Sequence, residues 1–123
     1  MGMPEPTHPI RYLNPEPRYA DAAIHGGVVY LAGQVPGQTD QGIEGQTREV
    51  LATIDRLLAE AGSDKTRLLM VQIFLADITD IHGMNAVWDQ WVAPGHAPPR
   101  ATVQAALADS RWKIEVVVTA ALY

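Results

Sequence analysis

The chain has 123 residues, long enough for one domain with a continuous core and short for two. With 47% of its residues hydrophobic and 19% charged, it has the composition of a folded domain rather than of a disordered segment. The 14 acids outnumber the 9 bases and no cluster of Lys or Arg is present, which argues against binding to nucleic acid or to an anionic membrane.

His8 to Asn14 alternates weakly, with Ile10 and Tyr12 on one side. It reads as a short edge strand behind an N-terminal arm, residues 1–8, that Pro4 and Pro6 keep loose. Pro15 and Pro17 mark a loop. Ala20–Ile24 and Val28–Ala32 then flank Gly26-Gly27, the residue chemistry of a two-residue hairpin turn. The hairpin runs into Gly33-Gln34-Val35-Pro36, where the glycine lets backbone come close to a neighbour.

Beyond a polar, Gly-rich loop, Val50, Leu51, Ile54, Leu57, Leu58 and Ala61 share one face of a helix predicted over Gln46–Ala61, with Gly62 as its stop. Arg67–Ala76 reads as a strand with Leu69, Val71, Ile73 and Leu75 on one side and Leu68, Met70 and Phe74 on the other. Being apolar on both sides, it belongs in the sheet interior. Thr79 or Asp80 is the expected N-cap of a second helix that carries Met84, Val87, Trp88, Trp91 and Val92 and ends at Pro94-Gly95. Two more strands, within Ala97–Leu107 and Trp112–Leu122, are joined by a reversal around Asp109-Ser110.

The order β-β-β-α-β-α-β-β, with no linker or internal repeat, predicts a single α+β domain over residues 1–123 with both helices on one face of the sheet. In the last strand Ile114, Val116, Val118 and Ala120 point one way, and Glu115, Val117, Thr119 and Ala121 the other. Both rows are largely apolar. The face away from the helices therefore needs a cover, and another subunit is the expected one.

Two charges stand out in these last strands. Arg100 follows Pro98-Pro99 and shares a strand face with Thr102 and Gln104. A guanidinium at a strand entrance stiffened by prolines is suited to grip a planar carboxylate through two parallel hydrogen bonds. The alternative is an ion pair with a surface acid. Glu115 stands among Ile114, Val116, Val117 and Val118, where an ionised carboxylate is costly unless it is paired or reached by water. A carboxylate so placed is a usable general base or acid, the alternative being an inter-strand or inter-subunit salt bridge.

Other chemistry is poorly supported. His8, His25, His82 and His96 fall at unrelated spacings, so no metal is expected. Ser63 and Ser110 lack the G-x-S-x-G frame of a serine nucleophile, and GQVPGQTDQGIEG is neither a Walker nor a dinucleotide pattern. Trp88 and Trp91 read as core or interface. Tyr19 and Asn85 could reach a pocket. Cysteine is absent, which removes disulfides and thiolate catalysis. No apolar run reaches membrane-span length and MGMPEPTH lacks a signal peptide's apolar centre, so a cytoplasmic location is the default expectation.

In this order and spacing, VVYLAGQVP, QTREVLATIDRLLAEAGSD, MVQIFLADITDIHGMNAVWDQW and PPRATVQAAL followed by KIEV resemble the Rid (YjgF-type) family of reactive-intermediate deaminases, long labelled L-PSP endoribonuclease. The similarity runs from about Tyr19 to Leu122. It implies a chorismate-mutase-like mixed sheet with two helices on one face, assembled as a barrel-like homotrimer with three clefts between subunits.

The resemblance also implies hydrolysis of a 2-enamino or 2-imino acid such as 2-aminoacrylate to a 2-oxo acid and ammonia, without metal or cofactor. Arg100 would bind the substrate carboxylate and Glu115 would position the hydrolytic water, while Tyr19, Gly33, Asn85 and Thr102 match pocket positions. This chain departs from the best-known members: a Gly-Pro ahead of Tyr19 is missing, Thr102 replaces a frequent cysteine, and Gln104 and Val117 replace frequent acids. The alternative function is a non-catalytic trimer that binds small carboxylates in a regulatory or chaperone-like role. Ribonuclease activity ranks lower, because an acidic chain without a His pair or basic groove offers little to hold or cleave RNA.

Overall fold

The computed structural model describes residues 2–5 and 7–123. Met1 and Pro6, part of the expected arm, lie outside the described residues. The strands are β1 (Arg11–Leu13), β2 (Ala22–His25), β3 (Val28–Leu31), β4 (Leu68–Leu75), β5 (Arg100–Gln104) and β6 (Ile114–Ala121). The helices are α1 (Ile43–Ala61) and α2 (Ile81–Trp91). All six strands form one sheet in the order β1-β2-β3-β6-β4-β5. Only β4 and β5 are parallel, and α2 supplies the crossover that a parallel pair requires.

The β2–β3 turn has the chemistry expected of it. Gly26 and Gly27 have φ of 59° and 79°, the positive pair demanded by a hairpin turn whose twist matches its strands. The predicted first strand shrinks to β1 at one sheet edge, and β5 forms the other edge.

Helix α1 begins at Ile43, three residues before the expected start. Its Gly-rich opening reads as loop, but Ile43 packs against the core. A Cβ on Gly83 of α2 would lie 2.7 Å from Ile43 Cγ2, so Gly83 is what lets the two helices close at this point. Gly62 ends α1 in the left-handed conformation, φ 94°. Asp80, one of the two expected residues, occupies the N-cap position of α2. A 3₁₀ turn, Ile78–Asp80, precedes the helix, and Asp80 makes no side-chain cap bond. Asp77 accepts from the Thr79 N–H at 2.9 Å and the Thr79 hydroxyl at 2.7 Å. Those bonds hold its carboxyl below the usual range.

One strand face also departs from simple alternation. Leu69 was expected beside Val71, Ile73 and Leu75, yet it is 46% exposed while Leu68 is 9% exposed. The register against β6 shifts between Leu68 and Met70; this bulge exchanges the faces of the residues before it.

Both helices cover one face, and the row Ile114, Val116, Val118, Ala120 is at most 1% exposed beneath them. The opposite face is left open, with Tyr12 at 54%, Tyr30 at 49% and Val103 at 47% exposure. Among the described residues, no helix is long and apolar enough to cross a membrane.

Inside the helix layer, Gln46 is fully buried and joins three segments. Its Nε2 donates to the carbonyls of Gln41 and Arg111, each at 3.1 Å, and its Oε1 accepts from the Lys113 N–H at 2.8 Å. Gln46→Leu leaves these three backbone groups without their partner and is expected to cost about 2–4 kcal/mol. Thermal unfolding should report a midpoint lower by on the order of 10 °C. An unchanged midpoint would show that water replaces the amide at no cost.

Candidate functional site

A cleft of about 530 Å³ opens between the β1–β2 loop, the segment after β3 and the start of β6. Tyr19, Asp21, Gly33, Gln34, Trp112 and Glu115 contribute to its wall. The sequence singled out Tyr19, Gly33 and Glu115 independently, and the fold brings them together. Asp21 and Trp112 were not anticipated, since neither belongs to a recognisable pattern and both join the cleft only through loop placement.

Glu115 pairs with Phe74 of β4, which puts its side chain on the open face, opposite the buried row of β6. It is half-buried and makes no salt bridge or hydrogen bond among the described residues. The alternative of a salt bridge within the chain is therefore not realised. Close approach at Gly33 is explicit: a Cβ there would overlap the Glu115 carboxylate and come within 3.0 Å of its Cδ. Gln34 locks this backbone to β6 through reciprocal bonds with Val116, Gln34 N to Val116 O at 2.8 Å and Val116 N to Gln34 O at 3.0 Å.

Flanking loops are fixed by charge. Glu49 accepts from the N–H groups of Gly37 at 2.6 Å and Gln38 at 3.0 Å, pinning the chain beyond Gly33 to α1. Between β5 and β6, hydrogen bonds from Arg111 bring the Asp109 carboxyl down to about 2. That turn delivers Ala108 and Trp112 to the cleft.

Arg100, Thr102 and Asn85 occupy a different place. Arg100 and Thr102 pair with Val71 and Ile73, members of the helix-covered row, so they point toward α2 rather than toward the open face. Gln104, the third residue of that row, accepts from the Ile78 N–H at 2.9 Å and ties β5 to the entry of α2. Arg100 forms no ion pair or hydrogen bond among the described residues; its guanidinium carbon lies 5.0 Å from the ring centre of Trp88. The alternative of an arginine paired with a surface acid is thus not realised among the described residues. Thr102 Oγ1 and Asn85 Oδ1 are both buried with no hydrogen-bond partner.

The six candidate residues accordingly divide into two groups. Tyr19, Gly33 and Glu115 offer a carboxylate beside close-approaching backbone. Arg100, Thr102 and Asn85 offer an unpaired cation with two unsatisfied polar atoms. β4 separates the strands that carry Glu115 and Arg100, and the two side chains leave opposite faces of the sheet.

The family model described as Endoribonuclease L-PSP matches residues 10–122. The chain belongs to this family, the Rid (YjgF-type) proteins. A RutC family protein from Haemophilus ducreyi is 47% identical over 105 residues, covering 85% of this chain and 90% of that protein. RutC family protein YoaB from Escherichia coli is 43% identical over 110 residues, 89% and 96% of the two chains. Among solved structures, a YjgF family member from Neisseria meningitidis is 45% identical with a TM-score of 0.91, covering 94% of this chain and 96% of that one. The mixed six-stranded sheet with two helices is thus the family fold.

Proposed function

We propose that this protein hydrolyses reactive 2-enamino and 2-imino acids to 2-oxo acids and ammonia, working as a homotrimer with a cleft at each of three subunit interfaces. The reading rests on one observation: the chain carries two chemically complementary half-sites on opposite faces of its sheet, each incomplete alone. The open face, with Tyr12, Tyr30 and Val103 exposed, is the surface that other copies would cover.

In the assembled cleft Arg100 of one subunit holds the substrate carboxylate through paired N–H donors. This turns the C=N carbon toward a water held by Glu115 of the neighbour. As the water oxygen bonds to that carbon, Glu115 accepts its proton and the C=N π pair moves to nitrogen. Glu115 returns that proton to the nitrogen, giving the carbinolamine. On collapse the carbinolamine hydroxyl proton passes to the nitrogen, the oxygen pair forms C=O, and the C–N bond breaks with its pair leaving on ammonia, so that the 2-oxo acid forms. Tyr19 and the Gly33 backbone shape the wall around the water, while Asn85 and Thr102 face the substrate from the arginine side.

A non-catalytic carboxylate binder would use the same arginine without needing Glu115. Ribonuclease chemistry is disfavoured by the cleft itself, where Asp21 and Glu115 would repel a phosphodiester.

The test generates 2-aminoacrylate and larger 2-imino acids in situ from an amino-acid lyase or oxidase and follows 2-oxo acid release. Wild type is expected to accelerate release, and Arg100→Ala to lose about 100-fold or more in kcat/KM through the missing charge-assisted pair. A folded oligomer that accelerates no imine would leave the binder as the surviving reading.

A further inference from the structure

We infer that Trp88 is a positioning residue for Arg100, an aromatic seat that holds the guanidinium in place while leaving its charge free for a ligand carboxylate. The inference rests on the carboxylate-clamp reading above and adds to it a residue whose helical periodicity otherwise marks it as core.

Trp88 is 6% exposed on α2, and the Arg100 guanidinium lies 5.0 Å from its ring centre. A buried or half-buried arginine is ordinarily steadied by an acid, but an acid at this place would occupy the N–H donors and cancel the charge that the substrate needs. An aromatic face attracts the cation through its quadrupole and accepts none of those donors. The guanidinium is therefore steadied and still unpaired among the described residues.

The seat itself is braced. Trp91 packs against Trp88 with ring centres 5.4 Å apart. The Trp91 indole N–H donates to Asp55 Oδ2 of α1 at 2.9 Å, and Lys65 Nζ lies 5.4 Å from the Trp91 ring centre. The middle of α2 thus serves one edge of the site: Trp88 lies beside Arg100, and Asn85, whose buried Oδ1 has no partner, lies about one turn earlier on the helix.

Two readouts on the full-length oligomer test the role. In ligand-free protein, the Arg100 side-chain Nε–H resonance should carry a ring-current shift and restricted motion that Trp88→Leu abolishes and Trp88→Phe retains. With pyruvate as a carboxylate probe, Trp88→Leu should raise Kd about tenfold and Trp88→Phe less than about threefold, the span expected for losing or trimming one desolvated cation–π contact. A purely structural role would lower the thermal midpoint while leaving the restricted motion of the Arg100 side chain and the pyruvate Kd as in wild type, since loss of the ring-current shift follows from removing the indole itself. Unchanged Arg100 side-chain motion and affinity in Trp88→Leu overturn the role of Trp88 alone, whereas failure of wild type to bind pyruvate overturns the clamp reading and this inference with it.

Discussion

Glu115→Gln is expected to lower turnover of a 2-imino acid by about 10²- to 10⁴-fold, the usual cost of losing a positioned general base. Glutamine keeps the size and one acceptor of glutamate, so it can still hold a water; it cannot take that water's proton. The carboxylate has no hydrogen-bond or ion-pair partner among the described residues, and its substitution therefore strips no structural contact. The thermal midpoint should stay within about 2 °C of wild type, and pyruvate affinity, which depends on Arg100, should be retained. Steady-state kinetics on imines made in situ, alongside titration with pyruvate, separates the effects. Equal turnover by Glu115→Gln and wild type would remove the water-activating role and move the weight to the carboxylate binder.

Much of the fold was legible because the signals were local. Gly26-Gly27 between two β-rich runs, Gly62 after a helical stripe and the apolar row of β6 each report a backbone requirement that a few neighbouring residues satisfy. Misreadings occurred where tertiary context decides. Ile43 and Gly45 look like loop residues until α2 supplies Gly83 against Ile43. Leu69 alternates correctly along the chain, yet a bulge at its pairing with β6 turns it outward. Asp80 sits at the expected N-cap of α2, but the side-chain bonds come from Asp77 because a 3₁₀ turn intervenes.

The site was legible as chemistry but not as geometry. A lone arginine after two prolines and a lone glutamate in a valine-rich strand are visible in one sequence. Tyr19, Gly33 and Asn85 stand out there only as residues that could meet a pocket or a neighbour, and family resemblance placed them in one pocket and added Thr102. Their division between two faces was not visible. It depends on β5 lying at the far edge beside β4 and on its register with Val71 and Ile73, which are facts of long-range pairing. Trp88 was read as core or interface alone for a related reason: its spacing on α2 is that of a core residue, and it is one, while its ring also lies beneath the Arg100 guanidinium.

Arg100→Ala and Glu115→Gln subunits, each nearly inactive alone, are expected to recover activity when mixed. Within one protomer β4 stands between the strands carrying these residues, a span of about 10 Å, and the side chains depart from opposite faces. No small substrate can meet both from the same copy. An interface built from the Glu115 face of one subunit and the Arg100 edge of the next contains both intact groups whenever the Arg100→Ala copy supplies the glutamate and the Glu115→Gln copy the arginine. In a cyclic trimer that contains both variants this happens at roughly one interface in three, so about a third of wild-type turnover should return. Co-expression with two affinity tags, followed by sequential capture of the mixed oligomer, gives the sample to assay. Failure to recover activity in a confirmed hetero-oligomer would mean that Arg100 and Glu115 do not act across an interface. The open tyrosine-bearing face would then take no part in the proposed reaction.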